Sequence, residues 1–372
     1  MDRKILFLIN KPRLGGAERA FVNQINFLNK KGFEVYFGCL FGIFSRENFF
    51  SDLEIVPERL KEFNFKSIGD LSGYSAIRRF CREKKIDIIY STLELANIAA
   101  RLSKIFRPSL KVIIRESGMA NRKSRQYKIL DWFLNFLADK IIATSEEVEK
   151  SLLAYQRVHA KKFFVLENAV RVNGWEELLE KKKQLEKNER EIRLLNVGWM
   201  DDDNKGQKGI IEAIGEIIKE KALAKKIILV LVGKGRLKES LEALAKEKNL
   251  GENISFLGRL PFAKVIEQYF LADIYIANSR SEGCSNSLLE AMSFGLPVIS
   301  TKAGSAGEVI ADGKSGILID AGNKEQLKEA IIKLTASQEL RQQLGYNAWQ
   351  TIKNNYSPEI QLRKLIEIFE SV

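Results

Sequence analysis

The chain has 372 residues, with 60 Lys and Arg against 48 Asp and Glu, a single His, three Cys and a formal net charge of +12. At roughly 100–200 residues per domain this length predicts two or three domains, and 45% apolar residues supply real cores, which excludes a disordered chain. Cys39, Cys81 and Cys284 lie far apart with no C-x-x-C pair, so neither a disulfide scaffold nor a structural zinc site is expected.

KILFLIN at residues 4–10 is the first strand candidate. It is too short for the apolar region of a secretory signal, and no window approaches the ~20 apolar residues of a membrane span. A cytoplasmic protein is expected, peripheral on the inner face of the cell membrane at most. Further strand candidates follow at 34–40, 86–92, 111–116, 140–145 and 163–168, with amphipathic stretches such as 17–31 and 124–138 between several of them. Continuous apolar strands interleaved with helices imply a parallel sheet covered on both faces, so the first half reads as one doubly wound domain. The charged stretch 177–192 reads as a solvated connector, which places a boundary near 171–174. Strand candidates at 192–198, 226–233, 253–258, 274–279 and 297–302 then repeat the pattern.

The excess charge belongs to one half. Residues 1–171 carry 31 Lys and Arg against 19 Asp and Glu, whereas residues 172–372 carry 29 of each. Such asymmetry points to an anionic partner of the first domain, whether nucleic acid, a membrane surface or a phosphorylated substrate; plain solubility is the alternative.

In chain order, the first candidate for chemistry is Gly15-Gly16, between the first strand and a helix, where glycine lets a backbone approach a ligand and the helix start favours an anion. Next, VGWMDDDNKGQKGIIEAI ends a strand at Gly198 and places Lys205 and Lys208 where a point charge can neutralise a diphosphate. Asp201-Asp202-Asp203 reads as a hydrophilic loop, and no metal is expected. In SRSEGCSNSLLEAMSFGLPVIST a strand runs into Glu282 and Gly283, and a helix starts near Asn286 or Ser287. The backbone N–H groups of Cys284, Ser285, Asn286, Ser287 and Leu288 would cradle phosphate oxygens. Glu282 and Glu290 border that site, where a carboxylate accepts hydrogen bonds from ribose or sugar hydroxyls. Two alternatives stand beside this: Ser287 and Glu290 have capping-box spacing, and Glu282 could be a solvated loop acid.

Taken together, GGAER at 15–19, KGQKGIIEAI at 205–214, LVGKGRLKESLE at 231–242, the E-x7-E of Glu282 and Glu290, and the downstream GEVI and DGKSGILI resemble the retaining family-4 glycosyltransferases along nearly the whole chain. The resemblance implies the GT-B fold, two Rossmann-like doubly wound parallel-sheet α/β domains facing across a cleft. Residues 1–171 would bind acceptor, 172–356 the nucleotide-sugar, and 357–372 would form a helix crossing back to the first domain. Glu282 and Lys205 are the implied catalytic residues. Glu282 would touch the sugar hydroxyls and Glu290 the ribose. The 284–288 backbone and Lys205 would hold the diphosphate, with Gly283 in the same loop, Gly16 approaching from the other domain, and Lys208 or Arg236 in reserve. The acceptor is expected at Arg115, Glu116, Arg122 and Lys123.

The chain departs from the family at Trp199, where an Arg is common, and at Arg115-Glu116-Ser117, where many members have a His. His159 receives no catalytic role. The implied reaction is metal- and cofactor-free transfer with retention from a nucleotide-sugar, UDP-sugar favoured, to a lipid-linked or saccharide acceptor in bacterial surface polysaccharide or lipopolysaccharide synthesis. Basic and aromatic helices at 75–85 and 123–140 would meet an anionic membrane, unless the aromatics pack on the sheet. A catalytically silent member, motivated by Trp199, and a nucleic-acid-binding protein, motivated by charge alone, are the competing readings; no nucleic-acid partner is expected.

Overall fold

The computed structural model describes residues 3–11, 16–42, 53–105, 107–155, 158–184, 191–221, 223 and 225–372. The chain forms two compact units, Met1–Asn168 with Pro358–Val372, and Ala169–Ser357. The switches between units therefore fall a few residues before the expected 171/172 boundary and one residue after 356/357.

In unit 1 the order is β1 (Lys4–Ile9), α1 (Gly16–Lys30), β2 (Glu34–Cys39), β3 (Leu60–Glu62), α2 (Leu71–Glu83), β4 (Ile88–Thr92), α3 (Glu94–Lys104), β5 (Lys111–Glu116), α4 (Arg125–Leu134), β6 (Lys140–Ala143), α5 (Glu146–Leu153) and β7 (Phe163–Val165). Among the described residues these strands form one parallel sheet in the order β3-β2-β1-β4-β5-β6-β7. Both faces are covered because the central strands are apolar on both sides: Ile5 and Phe7 pack under α1, while Leu6 and Leu8 pack on the α2–α3 side.

Unit 2 runs α6 (Trp175–Lys183), β8 (Glu191–Val197), α7 (Gln207–Lys219), β9 (Lys226–Val232), α8 (Lys238–Glu247), β10 (Ile254–Gly258), α9 (Phe262–Leu271), β11 (Ile274–Ala277), α10 (Asn286–Ser293), β12 (Val298–Thr301), α11 (Ala306–Val309), β13 (Ile317–Ile319), α12 (Lys324–Ala336) and α13 (Gln338–Asn355). Its parallel sheet is ordered β10-β9-β8-β11-β12-β13 among the described residues. Both units are thus Rossmann-like, the α/β architecture that the resemblance implied.

Of the expected connector 177–192, residues 185–190 lie outside the described residues, and the part in α6 is not simply solvated. Leu178 on α6 is buried, Lys182 Nζ donates to Phe294 O at 2.8 Å, and Trp175 lies against Gly295, whose φ of +64° suits the missing side chain. One apolar residue per turn was enough to dock a helix whose other positions are charged.

The last helix, α14 (Pro358–Glu370), belongs to unit 1 because Leu362, Leu365, Ile368 and Phe369 form one apolar stripe over the α1 side of the sheet. Phe369 meets Tyr90 with ring centroids 5.5 Å apart, and Arg3 Nη1 donates to Phe369 O at 2.8 Å. No helix among the described residues is long and apolar enough to cross a membrane.

Candidate functional site

In doubly wound sheets ligands bind beyond the carboxyl ends of the strands where the strand order reverses. In unit 2 that point lies between β8 and β11, so the loops after these strands build the site. The β8 loop tightens into a short 3-10 turn at Asp203–Lys205, where the Asp202 side chain accepts from Asn204 N at 3.1 Å. Gly206 ends it at φ +65°, and a Cβ there would stand 2.1 Å from Asn278 O, so glycine alone fits. The β11 loop is zipped to this turn. Arg280 N donates to Asn204 O at 2.7 Å, Asn204 Nδ2 donates to Ser281 O at 2.8 Å, and Arg280 pairs with Asp203 at 2.5 Å.

Zipping the loops brings together two residues 77 positions apart: Lys205 Nζ donates to Glu282 Oε1 in an ion pair, and Ser279 Oγ donates to the same oxygen at 2.8 Å. The two side chains are 22% and 17% exposed, open enough for a ligand to reach. From below, Gly304 at φ +59° clamps the Glu282–Gly283 backbone; a Cβ there would lie 2.3 Å from Gly283 O, and Ser305 N donates to that oxygen at 2.8 Å.

Helix α10 begins at Asn286, with Ser285 as its N-cap and no side-chain capping bond. By helix geometry the N–H groups of Asn286, Ser287 and Leu288 have no intrahelical acceptor and point out of the helix start, the arrangement that suits an anion. Since Ser285 is the cap, Ser287 and Glu290 do not form a capping box at the helix start. Glu290 Oε2 instead accepts from Tyr269 Oη at 2.8 Å, and Tyr269 is buried and stacked on Phe294 at 5.3 Å. The sequence reading missed Tyr269. Its signal was a phenol on the buried face of α9, where a hydroxyl needs a partner.

Other expected donor residues are placed differently. Cys284 is half-buried in the loop, while the side chain of Leu288 is core. Lys208 Nζ lies 4.0 Å from Glu212 on an exposed stretch of α7. Arg236 is exposed and donates to Asp201, from Nη2 to its carbonyl at 3.2 Å and from N to its carboxylate at 3.3 Å. Asp201, Asp202 and Asp203 thus each have a separate local role. Trp199 is 45% exposed, and its carbonyl accepts from Gln207 Nε2 at 3.2 Å. Gly16 is the first residue of α1, and Gly15 lies outside the described residues. His159 is exposed in unit 1.

The four expected acceptor residues divide sharply. Arg115 is 1% exposed and donates from Nη2 to Asn168 Oδ1 at 2.6 Å. Glu116 and Lys123 pair with each other at 2.8 Å, and Lys123 also reaches Asp131 at 2.6 Å, which Arg101 meets from its other side at 2.7 Å. These three residues are inside unit 1, and of the four only Arg122 is exposed. Charged residues at a strand end read as ligand contacts; here Glu116 at the end of β5 and Lys123 in the loop after it turn inward and pair, while Arg115 is held by the neutral side chain of Asn168. Leu93 follows β4 at the switch point of unit 1 with φ +73°, a strained value for a leucine, and Asn10 Oδ1 accepts from Ala96 N at 2.7 Å to cap the helix behind it.

On these features the chain can be compared with known proteins. Residues 179–351 match the family described as Glycosyl transferases group 1, and residues 14–173 match Glycosyltransferase Family 4. The uncharacterized glycosyltransferase MJ1069 of Methanocaldococcus jannaschii is 34% identical over 261 residues, 68% of this chain and 64% of that protein. For a second protein of that organism, MJ1178, the match spans 33% of its length, so the chain covers less than two thirds of either relative. An alpha-1,4-N-acetyl-D-galactosaminyltransferase of Campylobacter jejuni, named for a diphospho-undecaprenol-linked acceptor, is 26% identical over 94% of both chains. Anabaena HepE, solved with UDP and glucose, shares the fold with a TM-score of 0.82 over 100% of both chains at 18% identity.

Proposed function

The chain belongs to the family-4 glycosyltransferases, and we propose that it transfers a hexose or N-acetylhexosamine, with retention and without a metal, from a UDP-sugar to a lipid-linked or saccharide acceptor in bacterial surface polysaccharide or lipopolysaccharide synthesis. One observation carries this reading: Lys205, Glu282 and Glu290 gather around the α10 N-terminus at the switch point of unit 2. A diphosphate there takes the Lys205 ammonium together with the N–H groups of Asn286, Ser287 and Leu288, which stabilise the leaving group as charge develops on it. Glu282 exchanges its lysine for sugar hydroxyls, and Glu290, oriented by Tyr269, accepts from the ribose. Uridine as the donor nucleoside is supported by the UDP complex of HepE, and a lipid-diphosphate acceptor by the name of the Campylobacter relative.

Acceptor contact in unit 1 falls to Arg122, with the Glu116–Lys123 pair holding the loop beside it. An anionic membrane surface is the proposed partner of unit 1, because Ile129, Trp132, Phe133 and Phe136 are 50%, 41%, 57% and 71% exposed instead of packed on the sheet. The Lys128 ammonium lies beside them, over the Tyr155 ring at 4.4 Å.

A catalytically silent member is the second reading, favoured by Trp199 where family members often carry an Arg. Turnover decides between them. An active enzyme releases UDP from a UDP-sugar in the presence of acceptor and loses this in Glu282→Ala and Lys205→Ala with melting transitions retained; a silent one binds UDP and never turns over.

A further inference from the structure

Unit 1 has a second strongly charged feature, far in kind from the donor site. A cavity of about 600 Å³ lies between the carboxyl-terminal ends of α2 and α3 and is lined by Arg78, Arg79, Arg82 and Arg107 together with Ser75 and Ser103. No carboxylate is among its lining residues. Helices in this sheet run opposite to the strands, so their carboxyl ends, and this cavity, sit at the amino end of the sheet. Leu110, which also lines it, immediately precedes β5. The switch point of unit 1 is at the other end.

Helix carboxyl termini attract cations, and part of the cluster serves that purpose: Arg107 Nη1 donates to Cys81 O at 2.8 Å near the end of α2. This uses one of the five guanidinium donors of Arg107. Arg79 and Arg82 are exposed. Ser75 Oγ accepts from Arg78 Nη2 at 2.9 Å. Like charges around one cavity repel each other, and an anion that enters relieves that repulsion. A tetrahedral phosphoryl group meets several guanidinium forks at once from different directions, which a planar carboxylate does less well.

We propose that this arginine cavity is a phosphoryl-binding site, taking a phosphate or diphosphate group presented either by a soluble ligand or by a lipid headgroup. It is separate from sugar transfer and does not depend on the reading of the donor site.

The test is calorimetric titration of the full chain with inorganic pyrophosphate, repeated on Arg79→Gln/Arg82→Gln and on Lys205→Ala. Both glutamine positions are exposed, so folding is retained, as a melting curve verifies. The site predicts binding that weakens roughly tenfold or more in the double variant and persists in Lys205→Ala, the variant that weakens any diphosphate bound at the donor site. A second arm measures co-sedimentation with phosphatidylglycerol-containing vesicles against pure phosphatidylcholine. A loss in the double variant confined to pyrophosphate assigns a soluble ligand, and a loss confined to the anionic vesicles assigns a lipid phosphate. If the double variant matches the native chain in both arms, the proposal is overturned. A failure of Lys205→Ala to alter sugar transfer would strike the donor-site reading and leave this one untouched.

Discussion

Glu290 shows what a single buried hydroxyl can do at this site. The carboxylate belongs to the fifth residue of α10, and Tyr269 Oη donates to its Oε2 at 2.8 Å. Removing that hydroxyl deletes the bond to Glu290, worth about 1 kcal/mol, and a longer 3.3 Å contact to Ser287 O, without opening a cavity. Tyr269→Phe is therefore expected to raise the KM for the nucleotide-sugar about fivefold with kcat close to native and little change in melting temperature, measured by initial rates against donor concentration. A fall in kcat with KM unchanged would move Glu290 from the ribose to the reacting centre. The two glutamates were legible because a strand, a glycine loop and a helix start are written in consecutive residues. Their partners were not: Lys205 and Ser279 on Glu282, and Tyr269 on Glu290, are set by how separate strands line up, and one chain read in order carries no register between strands.

Among the elements, α3 and α4 are joined by an ionic core. Burial acts against the Lys123 ammonium, but Glu116 and Asp131 outweigh it and raise its pKa above the ordinary 10.5. A raised folded pKa contributes stability that is complete below the unfolded value and lost as pH rises through the folded one, so this pair is at full strength at neutral pH. Lys123→Met leaves Glu116 buried without its cation and should cost about 3–5 kcal/mol in urea unfolding. The margin between native and variant should stay flat across neutral pH and narrow only above the ordinary lysine range; a margin that closed near neutrality would place the stabilisation elsewhere. Periodicity located most of the strands and the long helices because apolar runs of this kind have no other use in a doubly wound sheet. It could not locate β3, three residues with only intermediate or exposed positions. Nor could it reveal that Lys123, Glu116 and Arg115 turn inward, because a charge that will be paired in the interior looks, in sequence, like a charge that will meet a ligand.

For the whole molecule, charge and apolar surface point the same way. Counted over the two units, unit 1 carries 32 Lys and Arg against 22 Asp and Glu, and unit 2 carries 28 against 26. Moving the last helix into unit 1 lowers its excess slightly and leaves the asymmetry in place. The same unit displays Trp132, Phe133 and Phe136 on its surface, with the Trp132 and Phe133 rings 4.6 Å apart. Replacing all three with Ser should weaken co-sedimentation with anionic vesicles roughly tenfold while leaving transfer to a soluble acceptor unchanged; undiminished vesicle binding would mean that the patch meets something else. Retaining transfer is tested most directly by turnover of the purified chain with UDP-sugars and a saccharide acceptor, following UDP release and the anomeric configuration of the product by proton NMR. UDP is expected to be released with the donor's anomeric configuration kept, and kcat to fall by about 10²–10³ for Lys205→Ala and Glu282→Ala in folded protein. Turnover that survives both substitutions, or a product of inverted configuration, would contradict it.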